Sequence, residues 1–179
     1  MILKGEKVIL RYPKLSDAQW FFVNIKKPEI AQNLGPAPKK LKSVKDEIKW
    51  VKSQPAKRRK KETLNFAIVD KKTKKLIGSC GFNTINLDEK YVEAGWWTAK
   101  QYWGKGYALD AVKQLIKYGF NKMKLNRIEA RMFVYNPRSH KFAKKLGFKD
   151  EGYMRKRHLF KGKFYDEYLV GLLRKEWKG

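Results

Sequence analysis

The sequence predicts an α+β fold: a single mixed central β-sheet flanked by helices, two of which cross it late in the chain. Three observations carry that expectation. Strand-like segments recur, and in RIEARMFV the alternation turns Ile128, Ala130, Met132 and Val134 to one side. One long segment instead has helical period, with Ala108, Ala111, Val112, Leu115 and Gly119 lining a single face. The composition, 42% hydrophobic and 14% aromatic over 179 residues, is enough for a proper core and excludes a disordered basic tail.

The elements follow in order. Lys7–Tyr12 (KVILRY) reads as a short strand ended by Pro13. Ser16 is placed as the N-cap of a helix through about Ile25, with Trp20, Phe21 and Phe22 assigned to the core. Gly35–Lys42 is expected to be a loop, and a second helix to start at Ser43 with Val44, Ile48 and Val51 at helical spacing. Pro55–Glu62 (PAKRRKKE) reads as a charged connector. LNFAIVD from Leu64, a DKKTKK hairpin turn and LIGSCGFNTINL form a strand pair, followed by the strand YVEAGWWTA. The turn QYWGKG leads into a helix from about Gly106 to Phe120, then RIEARMFV. Pro137 opens a short helix ending before Gly147, and FKDEGYMR and FYDEYLVGLL are the last strands. Without repeats or a linker, residues 1–179 are expected to form one domain.

Composition also restricts chemistry. One cysteine, Cys80, excludes a disulfide framework or a cysteine metal cluster, and two histidines argue against a histidine-rich centre, so no metal is expected. No apolar run approaches the roughly 20 residues of a membrane span, and MILKGEKVIL is too charged for a signal-peptide core. The expectation is a soluble, cytoplasmic protein. Its 43 Lys+Arg against 17 Asp+Glu leave +26, which predicts affinity for polyanions and disfavours polycationic substrates.

Gln101–Gly106 lies between a strand and a helix. Glycines there permit unusual backbone angles, and the helix N-terminus offers N–H groups and a positive dipole end to a phosphate. By spacing alone the segment is equally a plain strand-to-helix turn; it is neither a P-loop nor a dinucleotide fingerprint.

This stretch resembles the acetyl-CoA signature [R/Q]-x-x-G-x-[G/A] of the GNAT N-acetyltransferase superfamily. The match extends over VILRYPKLSDA, VEAGWWTAKQYWGKGYALDAVKQLIKYGF and LNRIEARMFVYNPRSHKFAKKLGFKDEGYMR, and looks most like the ribosomal-protein-alanine N-acetyltransferase (RimJ/RimL-like) branch. The resemblance implies splayed parallel strands that admit acetyl-CoA as co-substrate. It implies that the backbone of Gln101, Gly104, Lys105, Gly106, Tyr107 and Ala108 holds the pyrophosphate. Trp97, Thr98 and Ala99 would pair with the pantetheine arm, and Asn136 would hydrogen-bond it. Gln101 stands where many members have Arg, and Lys105 supplies a compensating charge.

For catalysis, period-2 alternation puts Glu93, Gly95 and Trp97 on one face, so Glu93 can take a proton directly or through water. It matches the glutamate of the family's E-I-G-Y-W motif; a surface acid is the alternative. The N-x-x-S match, Asn136 to Ser139, implies that Ser139 lies near the CoA sulfur as proton donor, although Asn136 before Pro137 is also simply a good N-cap. Other branches use a tyrosine four residues before the glycine of L-G-F; Ala143 stands there here. Asp166 matches an acidic position that contacts the acceptor amine, or is a strand-end acid paired with neighbours. Lys141, Lys144 and Lys145 are solvated by default, with one candidate for the CoA 3′-phosphate, and His140 and His158 are assigned packing or surface roles.

Two acceptor classes and one reading in which catalysis is lost or secondary follow in order. The first is a protein N-terminal amine, ribosomal-protein-like, on an anionic or ribosome-associated partner. The second is a small amine such as an amino sugar, antibiotic or amino acid. The third, from a different class, is a basic RNA- or ribosome-associated protein on the same scaffold. Much of the positive charge lies between Lys39 and Lys61, outside the CoA motif, which suggests a docking surface.

Overall fold

Strands β1 (Ile2–Lys4), β2 (Val8–Arg11), β3 (Leu64–Asp70), β4 (Leu76–Asn86), β5 (Tyr91–Thr98), β6 (Arg127–Phe133), β7 (Lys149–Phe160) and β8 (Lys163–Leu173) form one sheet. Their order is β1-β2-β3-β4-β5-β6-β8-β7. The computed structural model describes every residue except Pro36 and Lys161, with Ala37 described by its main chain alone. Among the described strands, every neighbouring pair is antiparallel except β5 and β6. The helices are α1 (Ala18–Ile25), α2 (Pro28–Ala31), α3 (Ala37–Lys40), α4 (Val44–Arg59), α5 (Tyr107–Asn121) and α6 (Pro137–Lys145). Among the described residues, no helix is long and apolar enough to cross a membrane.

Adjacent tryptophans on β5 show how the helices divide between the two faces. Side chains alternate along a strand, and Trp96 meets Phe142 of α6 at 5.3 Å between ring centroids while Trp97 stacks on Trp20 of α1 at 5.8 Å. α5 shares the α6 face: Val112, Leu115, Ile116 and Phe120 bury their stripe among Phe66, Phe82, Ile128 and Leu172. α1 and α4 pair on the opposite face through Phe21 and Trp50. The expected stripe on α5 and the alternation of Ile128, Ala130 and Met132 both lead into the core.

Several local expectations are corrected. The N-terminal strand starts at Val8 and is joined by β1, which the sequence reading missed because its three residues are pinned by tertiary pairing, Leu3 opposite Leu10. Ser16 is not the cap of α1. A tight 3₁₀ turn at Leu15–Asp17 precedes it, and the Asp17 carboxylate accepts the Lys14 N–H (2.7 Å) and both Arg11 guanidinium arms (2.6 and 2.7 Å). Of the three aromatics assigned to the core there, only Phe21 is buried. The expected Gly35–Lys42 loop contains the single turn α3; Pro36 falls outside the described residues. The expected Pro55–Glu62 connector is helix through Arg59, with Pro55 inside it. Proline removes one internal hydrogen bond, but Val51 and Gln54 are buried and Gln54 accepts from Asn65 of β3 (3.0 Å), so packing overrides the breaker. The start of α4 at Ser43 holds, with the Asp46 carboxylate reaching back to the Lys42 and Ser43 N–H groups.

Glu47, one turn into α4, is buried with no hydrogen-bond or ion-pair partner among the described residues, and burial pushes its carboxyl up to about 7. The folded state therefore binds a proton that the unfolded chain releases above its ordinary range. The stability this contributes is complete below about pH 4 and lost as pH rises through 7. Glu47→Gln removes that dependence: urea unfolding should show the variant gaining on the parent by on the order of 3 kcal/mol between pH 4 and pH 8, at about 1.4 kcal/mol per unit.

Candidate active site

The parallel pair β5–β6 is joined only at Tyr91–Arg127, Val92–Ile128 and Glu93–Glu129. Beyond Glu93 the strands run on to Thr98 and Phe133 without pairing, so a wedge opens with Glu93 at its vertex. The Ala99 N–H donates to the Ile77 carbonyl of the neighbouring strand side (2.9 Å). Alternation then turns the main-chain groups of Trp97 and Ala99 toward β4 and those of Trp96 and Thr98 into the wedge. Trp96 was absent from the sequence-derived set. Of the Thr98 groups, the carbonyl already accepts the Trp103 indole N–H (2.8 Å).

At the wide end of the wedge stands the glycine turn. Gly104 and Gly106 have φ of +74° and +83°, the left-handed region that favours glycine, and a Cβ at Gly104 would meet nothing within 4 Å. Gly106 caps α5, whose first-turn N–H groups and dipole end face this turn. Lys105 and Gln101 are exposed, and Tyr107 and Ala108 half-buried, in the first turn of α5. A second cation joins them: Lys7 Nζ donates to the Lys105 carbonyl at 2.9 Å. Lys7 carried no local signal for this, since only the fold brings β2 against α5. The Arg138 guanidinium stacks 3.3 Å from the Trp103 ring centroid and so ties the first turn of α6 to the turn before α5.

α6 starts as its sequence suggests. The Asn136 side-chain oxygen accepts the Ser139 N–H (3.2 Å), and the Asn136 amide NH₂ has no partner among the described residues. The Ser139 hydroxyl has no partner among the described residues. Lys144 pairs with Asp150 (3.1 Å), and His140 bonds Asp150 (2.6 Å) while stacking on Tyr168, which accords with surface and packing roles.

On the α1–α4 face, alternation and register align Glu93 with Glu129, Arg131 and Phe133 of β6, and Phe133 with Glu167 of β8. Arg131 Nη2 bonds Glu93 at 2.8 Å. Burial raises the Glu93 carboxyl above the ordinary range, Glu129 and Glu167 add to the rise, and Arg131 opposes it. Beside them is an aromatic shelf in which Phe133, Tyr135 and His158 stack in series, the first pair 5.2 Å apart and Phe133 4.0 Å from His158. The Tyr135 hydroxyl donates to the Gln32 carbonyl (2.8 Å), so the chain after α2 lies over this shelf. His158 Nε2 is buried without a partner among the described residues, and burial, Lys39 and Arg157 hold the ring below its ordinary pKa. Asp166 is drawn to its own hairpin: it accepts the Tyr153 hydroxyl and the Lys156 N–H, both at 2.6 Å, which hold it below the carboxylate range.

The alternation of RIEARMF carried one legible signal for Arg131, since it faces away from Ile128, Ala130 and Met132. Its pairing with Glu93, 38 positions earlier, had none. Because Arg131 favours the ionised carboxylate, Arg131→Met should raise the Glu93 pKa further. A ¹³C-carboxyl NMR titration should show its midpoint move upward, and an unchanged midpoint would mean that the ion pair exerts no hold in solution.

The comparisons with known proteins agree with this geometry. The profile of the acetyltransferase (GNAT) domain matches residues 7–149. Among curated proteins, the chain is 33% identical over 178 residues to the uncharacterized N-acetyltransferase p20 of Bacillus licheniformis, covering 99% of this chain and 98% of that one. Among solved structures, RimL, a ribosomal L7/L12 α-N-protein acetyltransferase in complex with coenzyme A, superposes with a TM-score of 0.89 at 19% identity, over 97% of this chain and 98% of the other. The microcin C7 self-immunity acetyltransferase MccE, in complex with acetyl-CoA and AMP, gives 0.83 at 24% identity, over 94% and 93%. At those identities the structures establish the fold, and the profile and the full-length relative establish the family. The chain belongs to the GNAT acetyltransferases and is an N-acetyltransferase.

Proposed function

We propose that the enzyme moves the acetyl group of acetyl-CoA onto a protein N-terminal amine that enters from the α1–α4 face. The observation that carries this reading is the position of Glu93, at the vertex of the wedge on that face, with the phosphate-binding turn at the wedge's far end. The pyrophosphate is held by the main chain of Gln101–Gly106 and the start of α5, with Lys105 and Lys7 as cations. The pantetheine arm lies along the β5 edge at the Trp96 main chain and the Thr98 N–H, rather than at Trp97 and Ala99, and reaches the Asn136 amide.

Chemistry then needs a neutral amine. An α-amine has a reference pKa of about 7.7–8.0, against about 10.4 for lysine, so a carboxylate raised by burial suffices as base. Glu93 takes one proton from the ammonium, directly or through water. The amine nitrogen bonds to the thioester carbon, the C–S bond breaks, and Ser139 Oγ–H protonates the departing thiolate, regaining a proton from the nitrogen through water. Positioning in the wedge supplies much of the rate, as it makes the encounter intramolecular. The basic residues of α3 and the first turns of α4, Lys39 to Lys52, lie beside the same face and dock an anionic acceptor such as a ribosome-associated protein.

A second reading, a small amine carried on a nucleotide, is favoured by the aromatic shelf of Phe133, Tyr135 and His158, which offers a stacking surface, and by the AMP bound to the neighbour MccE. A non-catalytic RNA-associated role is disfavoured by the intact glycine turn and the placement of Glu93.

Acetyl-CoA should raise the melting temperature of the protein. Assayed by acetyl-CoA consumption against N-terminal peptides, ribosomal proteins and small amines, Glu93→Gln should lose about 10²-fold or more in turnover and Ser139→Ala a smaller factor, both keeping the acetyl-CoA thermal shift. Full turnover in either variant removes its assigned role. Raising salt from about 50 to 300 mM should weaken activity on the docked acceptor while sparing acetyl-CoA binding more, and activity indifferent to salt counts against the docking surface.

A further inference from the structure

A cavity of about 230 Å³ opens at the other end of the molecule, where the sheet is still closed. Leu64 at the start of β3, Ile85 and Leu87 at the end of β4, and Met123 just past α5 form its apolar walls. The glycine turn lies at the N-terminus of α5 and this cavity at its C-terminus, so the 15-residue helix separates them by about 20 Å. The active-site reading uses none of these residues as catalyst or CoA ligand.

The polar part of the lining is of one kind. Thr63 Oγ1 is buried with no hydrogen-bond partner among the described residues, an arrangement that costs free energy unless something answers it. The Arg58 guanidinium lies flat on the Tyr12 ring, 3.6 Å from its centroid, which leaves its N–H edges free; no acceptor for them occurs among the described residues. Lys61 and the hydroxyl-bearing Tyr12 and Tyr118 complete this side. Among the described residues no carboxylate lines the cavity. Hydroxyls and two cations therefore converge on an apolar hollow whose described lining has no anionic group to answer them.

We propose that this cavity is a binding site for a small carboxylate with an apolar chain, its carboxylate held by Arg58, Lys61 and the Thr63 hydroxyl and its chain laid against Leu64, Ile85, Leu87 and Met123. The volume lies below the roughly 300 Å³ at which drug-sized pockets begin, which fits a chain of about eight carbons. The complement is electrostatic at the rim and hydrophobic within: a bidentate guanidinium–carboxylate contact is strong, and every methylene that enters the wall strengthens binding.

Sodium octanoate is the probe, titrated into ¹³C-methyl-labelled protein. The methyl signals of Met123, Leu64, Ile85 and Leu87 should shift together, and affinity should increase about fourfold per methylene from hexanoate to octanoate. Octylammonium, of the same length and opposite charge, should bind at least tenfold more weakly. Thr63→Val and Arg58→Met should each weaken octanoate about tenfold and leave octanol unchanged, while Leu87→Trp, at a half-buried wall position, should abolish binding of both. Because Thr63→Val is nearly isosteric, it tests the polar seat without emptying the core. Octanoate that leaves these methyls unmoved, or octylammonium that binds as well as octanoate, overturns the proposal.

Discussion

The site depends on one disruption of the sheet. In β4 the register shifts between Phe82, opposite Ala94, and Thr84, opposite Glu93, so Asn83 is an extra residue bulged out of the ladder. A bulge bends its strand and increases local twist. It falls at the level where β5 parts from β6, immediately after the Glu93–Glu129 pair. The strand that leaves is thus carried away by the neighbour to which it remains bonded. Gly95 makes this possible locally, since a Cβ there would lie 2.6 Å from the Asn83 side-chain amide. From this single bend follow the unpaired main-chain edge at Trp96 and the Thr98 N–H, the vertex occupied by Glu93, and the gap that α6 borders with Asn136 and Ser139.

Two contacts then hold the wedge at a defined width. On one face Trp96 is gripped between Phe142 and Phe148, and on the other Trp97 is held by Trp20 and Phe21. Stacked and edge-on aromatic pairs add about 0.5–1.5 kcal/mol each beyond the area they bury, so a strand lacking hydrogen bonds on one side is fixed by its rings. The Arg138–Trp103 stack closes the frame at the wide end. Binding then needs little rearrangement of the main chain, which keeps the ordering cost of the ligand low.

Much of this was legible in the sequence, and the division follows physical range. Ile128, Ala130 and Met132 declare their strand because burial imposes period 2, and Gly104 and Gly106 declare the turn because a positive φ selects glycine. Asn136 and Pro137 announce the start of α6 for the same local reason. What stayed hidden depends on partners distant in sequence: the bulge at Asn83, the grip of Arg131 on Glu93, Lys7 at the glycine turn, and His158 under the chain near Gly35. Pro55 misled for a related cause, since its local penalty is outweighed by the burial of Val51 and Gln54 on either side of the helix turn.

The charge of +26 acquires structure once the fold is known. Acids are scarce, yet Glu93, Glu129 and Glu167 gather at the floor of the α1–α4 face, and the nearest pairing cations, Arg127 and Arg131, are spent within the group; Arg127 is shared with Glu151 as well. An acidic floor inside a basic shell favours an acceptor with the same division: an anionic body that the surface attracts and an ammonium end that the floor receives. On the proposed reading such a field would orient an acceptor amine-first before any side chain contacts it, while Arg131 opposes the burial that raises the Glu93 carboxyl.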